Sequence, residues 1–437
     1  MPRGIIIDLV GKEFGTMKTI KEAVFKQIDE ESGEAFRSLG EFLRHPSVLG
    51  QEESAQEYYA ELLRGAGLEV DMWYPRPEDM RCNPHFLACR SDYRGSPDVV
   101  GTYRGSGGGR SLLLNGHVDV VPAGNLDWED SPWSGLRREG RIFGRGASDM
   151  KGGLIANFMA LSAVIRAGVR LRGDVYLASV IGEETGGAGT LSMLSRGYRA
   201  DGAIIPEPSD MKICPVSLGV IWFRIRVKGL AAHAANAYLG KNAISKAALI
   251  IQALDACNEE ERTGVRHPLY QGENKNPFNI NIGRIGGGTI ATSVPDEAVI
   301  EGRIAFSPDE DVTDAKRVLT DAVLCAAERD PWLREHPPAV EWHSFCLNSG
   351  QIPVDHPLTE TIARAYAGVT GKSPVISGTP WGTDAGAMIR VGGIPTVVFG
   401  PGPNSKAHQA NEYVDERELL CVAKTIASAM LDWCGAE

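Results

Sequence analysis

The run SLLLNGHVD (residues 111–119) is followed by GDVYLASVIGEE (173–184) and ADGAIIPEP (200–208). Each is continuous or nearly continuous in apolar residues, as expected of a strand covered on both faces. Helical patterns lie between them, at Met150–Gly168 and Thr190–Gly197. Strand, helix, strand, helix, strand specifies an α/β fold with a mostly parallel sheet and crossover helices. Upstream, LEVDMWY from Leu68 and VVGTYRG from Val99 read as further strands, and Thr19–Ala66 reads as helical. Downstream, PTVVFG (395–400) is one more buried strand, set between helices beginning near Pro357 and Glu416.

The pattern changes near Val216. In VIWFRIRVKG (220–229), Ile221, Phe223, Ile225 and Val227 alternate with Trp222, Arg224, Arg226 and Lys228. One buried and one solvated face is the habit of an antiparallel sheet. A helix at Ala243–Cys257, strands at FNINIGRI and AVIEGRIAF, a helix at Asp311–Arg329 and a strand at AVEWHSF complete the order βαββαβ, a ferredoxin-like α+β unit. The expected organisation is one α/β domain in two pieces, 17–216 and 346–437, interrupted by a smaller domain at 217–345. Met17 opens the amphipathic segment MKTIKEAVFKQI, so residues 1–16 read as an N-terminal extension.

Composition narrows the classes. A chain of 437 residues, 43% hydrophobic, supports a sizeable core. Its net charge of −11 argues against nucleic acid and anionic membranes as partners. No apolar run approaches the ~18 residues of a membrane span. The eight cysteines form no C-x-x-C pair, which fits free thiols in a reducing compartment. With no secretory signal pattern, a cytoplasmic location is expected. P-loop, G-x-S-x-G and H-E-x-x-H motifs are all missing. Glycine, 51 residues or about 12% against a usual ~7%, points to loops that turn sharply around a site.

Chemistry gathers at the strand ends. His117 and Asp119, then Glu183 and Glu184, then Glu207 follow the three decisive runs, and His408 lies in the loop after PTVVFG. Asp149, in GRGASDMKGG (144–153), precedes a helix. Sites in open α/β sheets form at the carboxyl ends of strands, so these groups should converge. So many carboxylates and imidazoles in one dry pocket call for cations to compensate them. The mixed N/O donors suit zinc, cobalt or manganese, and their number suits two metals with a bridging carboxylate. Of the adjacent acids Glu183 and Glu184, one can bind metal while the other takes a proton from the attacking water.

The motifs NGHVDVVP, GRGASDMKGG, IGEETGG, PEP, GLAAHAAN and GPGPNSKAHQANEY resemble the M20 metallopeptidase family, from about residue 35 to the C-terminus. Within it the chain looks closest to acetylornithine deacetylase, succinyl-diaminopimelate desuccinylase, aminoacylase-1 and glutamate carboxypeptidase. The resemblance implies a zinc-peptidase-like catalytic domain and an inserted domain that serves as lid and dimerisation unit. It implies two zinc ions, one on His117 and Glu207, the other on Glu184 and His408, with Asp149 bridging. Asp119 would fix the tautomer of His117, and Glu183 would be the general base. His233, which by sequence alone reads as a loop histidine, matches a residue that polarises the scissile carbonyl, often across a dimer interface. Arg303 matches a family arginine for a substrate carboxylate, although alternation equally permits a solvated strand face. Asn279 or Asn281, and Thr383, match segments on the substrate side, whereas Trp128, Trp133 and Trp381 read first as core packing, with the pocket wall as the alternative.

The implied reaction is removal of an N-acyl group, acetyl or formyl, from an amino acid or small amine, by a homodimer paired through 217–345. An M20 dipeptidase or carboxypeptidase is the alternative. The segment CNPHFLACRSDYRGSPDVVG (82–101) and the PWGTDAG loop (380–386) look like bacillus-type deacylases, some of which deformylate an aminopyrimidine. A non-catalytic binding protein on the same fold would lack ligands or base, and here all are present.

Overall fold

The three decisive runs become the adjacent strands Val175–Val180, Leu112–His117 and Gly202–Ile205, and Thr396–Val398 joins them as the next neighbour. All four are parallel, with His117 beside Val180, Leu114 beside Ile204 and Val398 beside Ile205. Every residue of Leu112–His117 is buried, as its unbroken apolar pattern requires. The structure, a computed structural model, describes residues 3–125, 127–270 and 276–437; the side chains of residues 1–16 lie outside that description.

Among the described residues the whole sheet has nine strands; the four central ones are parallel, and Ile376–Thr379 also runs parallel to Ile213–Ser217 on the far side. Asp98–Tyr103 and Glu69–Trp73 extend one side antiparallel. On the other, Ile213–Ser217 runs antiparallel to Thr396–Val398, followed by Gly350–Gln351. The expected mostly parallel sheet is therefore mixed, because Glu69–Trp73, Asp98–Tyr103, Ile213–Ser217 and Gly350–Gln351 join it antiparallel, without crossover helices. Helices Gly152–Arg166, Pro357–Thr370 and Glu416–Cys434 pack against it in one large core that includes Leu154, Leu161, Ile362 and Ile426.

The helical stretch expected from Thr19 to Ala66 is two helices, Arg3–Leu43 and Glu53–Gly65. Pro46 and Gly50 stand in the break between them, where neither continues a helix readily. The boundary expected at residue 17 falls inside the first helix, and the side-chain character expected of residues 1–16 lies outside the described residues.

Strands Gly219–Lys228, Ile280–Gly287, Glu297–Phe306 and Ala339–Leu347 form a separate antiparallel sheet, with Glu297–Phe306 and Gly219–Lys228 at its centre. Helices Ala243–Glu260 and Val312–Glu328 contribute to its own core, where Phe223 and Ile225 meet Ile250, Leu254 and Leu319. A third, small sheet was not legible in sequence. Tyr413–Asp415 pairs with Arg141–Phe143, tying the chain just after His408 to the chain just before Asp149. Among the described residues no helix is long and apolar enough to cross a membrane.

Candidate metal centre

Because the four central strands are parallel neighbours, their carboxyl ends lie on one edge of the sheet. His117 is the last residue of its strand; Glu183 and Glu184 follow Val180, and Glu207 follows Ile205. Asp149 sits in a kinked, non-helical turn (φ −121°, ψ 92°) just before Gly152–Arg166. His408 adopts left-handed backbone (φ 63°) in its loop. The loops crowd so closely that a Cβ on Gly153 or Gly400 would stand 2.1 or 2.2 Å from the Pro206 carbonyl oxygen, beside Glu207. Only glycine allows that approach.

Asp149 reaches both histidines. Its Oδ1 lies 3.1 Å from His117 Nε2 and its Oδ2 3.3 Å from His408 Nε2. Glu207 stands 3.6 Å from His117 Nε2, and Glu184 3.0 Å from His408 Nε2. Glu183 Oε2 is 4.0 Å from His117 Nε2. Donors about 2.0–2.1 Å from a tetrahedral ion lie about 3.4 Å from one another, so these spacings fit metal ligation. Grouping donor atoms within 4.8 Å of one another instead gives His117, Asp149 and Glu184, and separately His117, Glu183 and Glu207. Both oxygens of Asp149 are engaged, one toward each histidine.

Asp119 acts differently from the tautomer-fixing carboxylate expected. The short contact to His117 Nδ1 is the Asp119 backbone carbonyl, which accepts at 2.8 Å; the carboxylate is 3.7 Å away. That acceptor takes the Nδ1 proton and turns Nε2 toward Asp149, the nitrogen left to face a metal. The carboxylate accepts the backbone N–H groups of Glu183 (3.3 Å) and Glu184 (3.1 Å), holding the end of the neighbouring strand.

The electrostatics call for a cation. Burial drives the carboxyls of Glu183 and Glu207 well above the usual carboxylate range and raises Glu184 as well. Burial also opposes charge on His117, but Glu207, Asp149, Asp119 and Glu183 together overcome it and raise its pKa well above the ordinary value. Hydrogen bonds to Asp149 and Glu184 lift His408 to about 10. Imidazoles pulled toward protonation inside a ring of buried carboxylates mark a place where positive charge is wanted. Nitrogen and oxygen donors at these spacings fit a zinc-like metal.

A cavity of about 440 Å³ opens over this cluster. Asp149, Glu183, Glu184, Glu207 and His408 form one part of its lining, and Arg303 belongs to it too. Asn281 is the cross-strand partner of Arg303 but does not line the cavity. Asn279 turns its amide back to the Asn276 carbonyl. Thr383 is buried, its hydroxyl 3.2 Å from that of Ser217, outside the lining. His233 is exposed and also outside it, with Nδ1 accepting the Ala235 N–H. Trp381, expected in the core, lines the cavity instead, together with Trp222 and Phe345.

Two residues that sequence reading passed over tie the ligand loops together. Glu412 Oε1 accepts the N–H groups of Gly146, Ser148 and Asp149 at 3.0–3.1 Å. Arg145 donates to Glu412 Oε2 (2.6 Å) and to the Gln409 carbonyl (3.2 Å), next to His408. Both side chains are essentially fully buried. Their signal was two unlike charges, one in each of the motifs that carry Asp149 and His408. Lys151 of the same motif is structural: its ammonium donates to the Phe42 and His45 carbonyls at the end of the first helix.

The family model described as peptidase family M20/M25/M40 matches residues 113–432. The N-formyl-4-amino-5-aminomethyl-2-methylpyrimidine deformylase of Bacillus subtilis is 33% identical over 403 residues, covering 87% of this chain and 89% of its own. A probable succinyl-diaminopimelate desuccinylase of Staphylococcus epidermidis is 26% identical over 353 residues, covering 74% of this chain and 84% of its own. The solved structure of the di-peptidase Dug1p from Saccharomyces cerevisiae matches with a TM-score of 0.77 over 95% of this chain and 98% of that one. At 15% identity, that likeness is one of fold.

Proposed function

The chain belongs to peptidase family M20/M25/M40, and from that membership we propose that it removes formyl or a similarly small acyl group from an amine, using two zinc ions. It is a hydrolase of C–N bonds. The observation that carries the acyl assignment is the 33% identity to a deformylase across 87% of the chain.

His117 and Glu207 would hold one ion, Glu184 and His408 the other, and Asp149 would serve both; cobalt or manganese suits the same donors. Bound there, the metals would supply Lewis acidity and lower the pKa of water toward neutrality. Glu183 takes the proton of the attacking water and returns it to the departing amine nitrogen. Asp119 holds the Glu183 backbone so that its carboxyl faces the cavity. His233, whose Nδ1 accepts the Ala235 N–H, carries its proton on Nε2 and would donate a hydrogen bond through it to the carbonyl oxygen as that atom gains charge.

Since His233 lies outside its own cavity, this role requires a second copy of the chain, paired through 217–345. Support comes from the exposed Tyr238 (81%), Leu239 (59%), Ile285 (50%) and Ile290 (61%), and from the open edge of strand Ile280–Gly287, to which Ile285 belongs. Light scattering should give a dimer; an active strict monomer would remove His233 from the mechanism. The eight unpaired cysteines support a cytoplasmic location, to be checked by cell fractionation.

The reading is tested by screening zinc-loaded protein against formyl, acetyl and succinyl amines and free dipeptides. We expect turnover of the formyl or acetyl compounds, lost on chelation and restored by zinc. A preference for free dipeptides would overturn the deacylase assignment.

A further inference from the structure

The cavity has two unlike parts. Besides the carboxylates and His408, its lining includes Val220, Trp222, Phe345, Leu347, Pro380 and Trp381. Trp222 occupies a position whose alternation calls for a polar residue, in phase with Arg224 and Arg226, and it is 39% exposed there. Its ring stacks on Phe345 at 4.9 Å and 14°, which fixes its plane and orientation. Phe345 is 9% exposed, so it backs Trp222 and offers little surface of its own. Arg303 is the cross-strand partner of Trp222 and lines the same cavity. Among the described residues no hydrogen bond or ion pair engages Arg303, and burial alone lowers its pKa.

A large aromatic ring held rigidly on an otherwise polar face, with a half-buried guanidinium beside it lacking a partner, is incomplete as internal packing. A guanidinium partly withdrawn from water gains from a ligand that offers it acceptors. A flat apolar face with a multi-pronged donor at its edge is complementary to a planar ring carrying acceptor atoms on its rim. An acyclic amine would leave the indole face uncovered, and a purely hydrocarbon ring would leave Arg303 unpaired.

We propose that Trp222 is the platform on which the amine half of the substrate, a flat heteroaromatic ring with hydrogen-bond acceptors, stacks while Arg303 donates to the ring's edge. The proposal rests on the deacylase reading above and names the class of amine. It makes Trp222 and Arg303 the residues that determine specificity at the leaving-group side, with the scissile amide directed toward Glu183.

Three formamides separate the contributions: a formylated aminomethylpyrimidine (ring and acceptors), N-formylbenzylamine (ring alone) and N-formylbutylamine (neither). The enzyme should prefer them in that order. Trp222→Ala should lower the ratio of kcat/KM for either ring compound over the butyl compound by about 5- to 150-fold, carried mainly by KM, and Trp222→Phe should recover part of it. Arg303→Met should lower the pyrimidine-to-benzyl ratio by about tenfold or more. Calorimetric binding of the product amines gives the same ordering without turnover, and circular dichroism checks that each variant is folded. Equal use of ring and butyl compounds, or an equal loss on all three with Trp222→Ala, overturns the platform while leaving the deacylase assignment standing. If none of the three is hydrolysed and other acyl classes fail too, the deacylase reading falls and the platform with it.

Discussion

Replacing Glu183 by Gln should lower kcat by about 10²–10⁴-fold while leaving metal content and fold intact. The side chain is 7% exposed, lines the cavity and stands 4.0 Å from His117 Nε2, farther than either carboxylate proposed to share an ion with that histidine. It is thus placed to face water and substrate. Glutamine keeps the volume and the backbone contacts to Asp119 but can neither take nor return a proton. The neighbouring Glu184→Gln should behave differently, losing metal along with activity, because Glu184 contacts His408 at 3.0 Å. Metal analysis and steady-state kinetics on the two variants check the division of labour between adjacent acids. Full amidase activity in Glu183→Gln would show that the base lies elsewhere.

Truncating Glu412 to Ala should cost about 3–5 kcal/mol of stability, the usual consequence of leaving one member of a buried ion pair without its partner. Here the orphan is Arg145, 1% exposed, and three backbone N–H groups around Asp149 lose their acceptor as well. Glu412→Gln should cost less, since an amide oxygen still accepts those N–H groups even though Arg145 loses its counter-charge. The same damage should reach the metal centre, because Arg145 also holds the Gln409 carbonyl beside His408. Denaturant unfolding together with a zinc-affinity titration reads both effects. A Glu412→Ala protein within about 1 kcal/mol of the parent would mean that water or a rearranged loop satisfies Arg145.

The cluster around Asp149 was legible in sequence because its residues sit at the ends of unbroken apolar runs. A run such as SLLLNGH can only be a strand buried on both faces, and a polar group at its end must be there for a reason other than packing. The ferredoxin-like unit was legible in the same way, from the strict alternation of Ile221, Phe223, Ile225 and Val227. Trp222 was read only as one member of the solvated face, and the pattern could not say what faced it. Thr383 and Asn279 lay in suggestive motifs, but their side chains turn inward to Ser217 and Asn276, a choice made by local hydrogen bonding. Glu412 and Arg145 were hidden because a buried ion pair 267 residues apart in the chain leaves no periodic trace.

The sequence by itself therefore determined the α/β class, the inserted βαββαβ unit and the set of groups at the strand ends, because those follow from periodicity and chain order. Which edge the strands shared, how Asp149 divides its two oxygens between His117 and His408, and which faces meet across the cavity were decided only by tertiary structure. These depend on strand order and on contacts between segments hundreds of residues apart, and hydrophobic periodicity is blind to both. The separation is sharpest at Asp119: its place beside His117 was readable, but only the folded sheet brings its carboxylate to the backbone of Glu183 and Glu184.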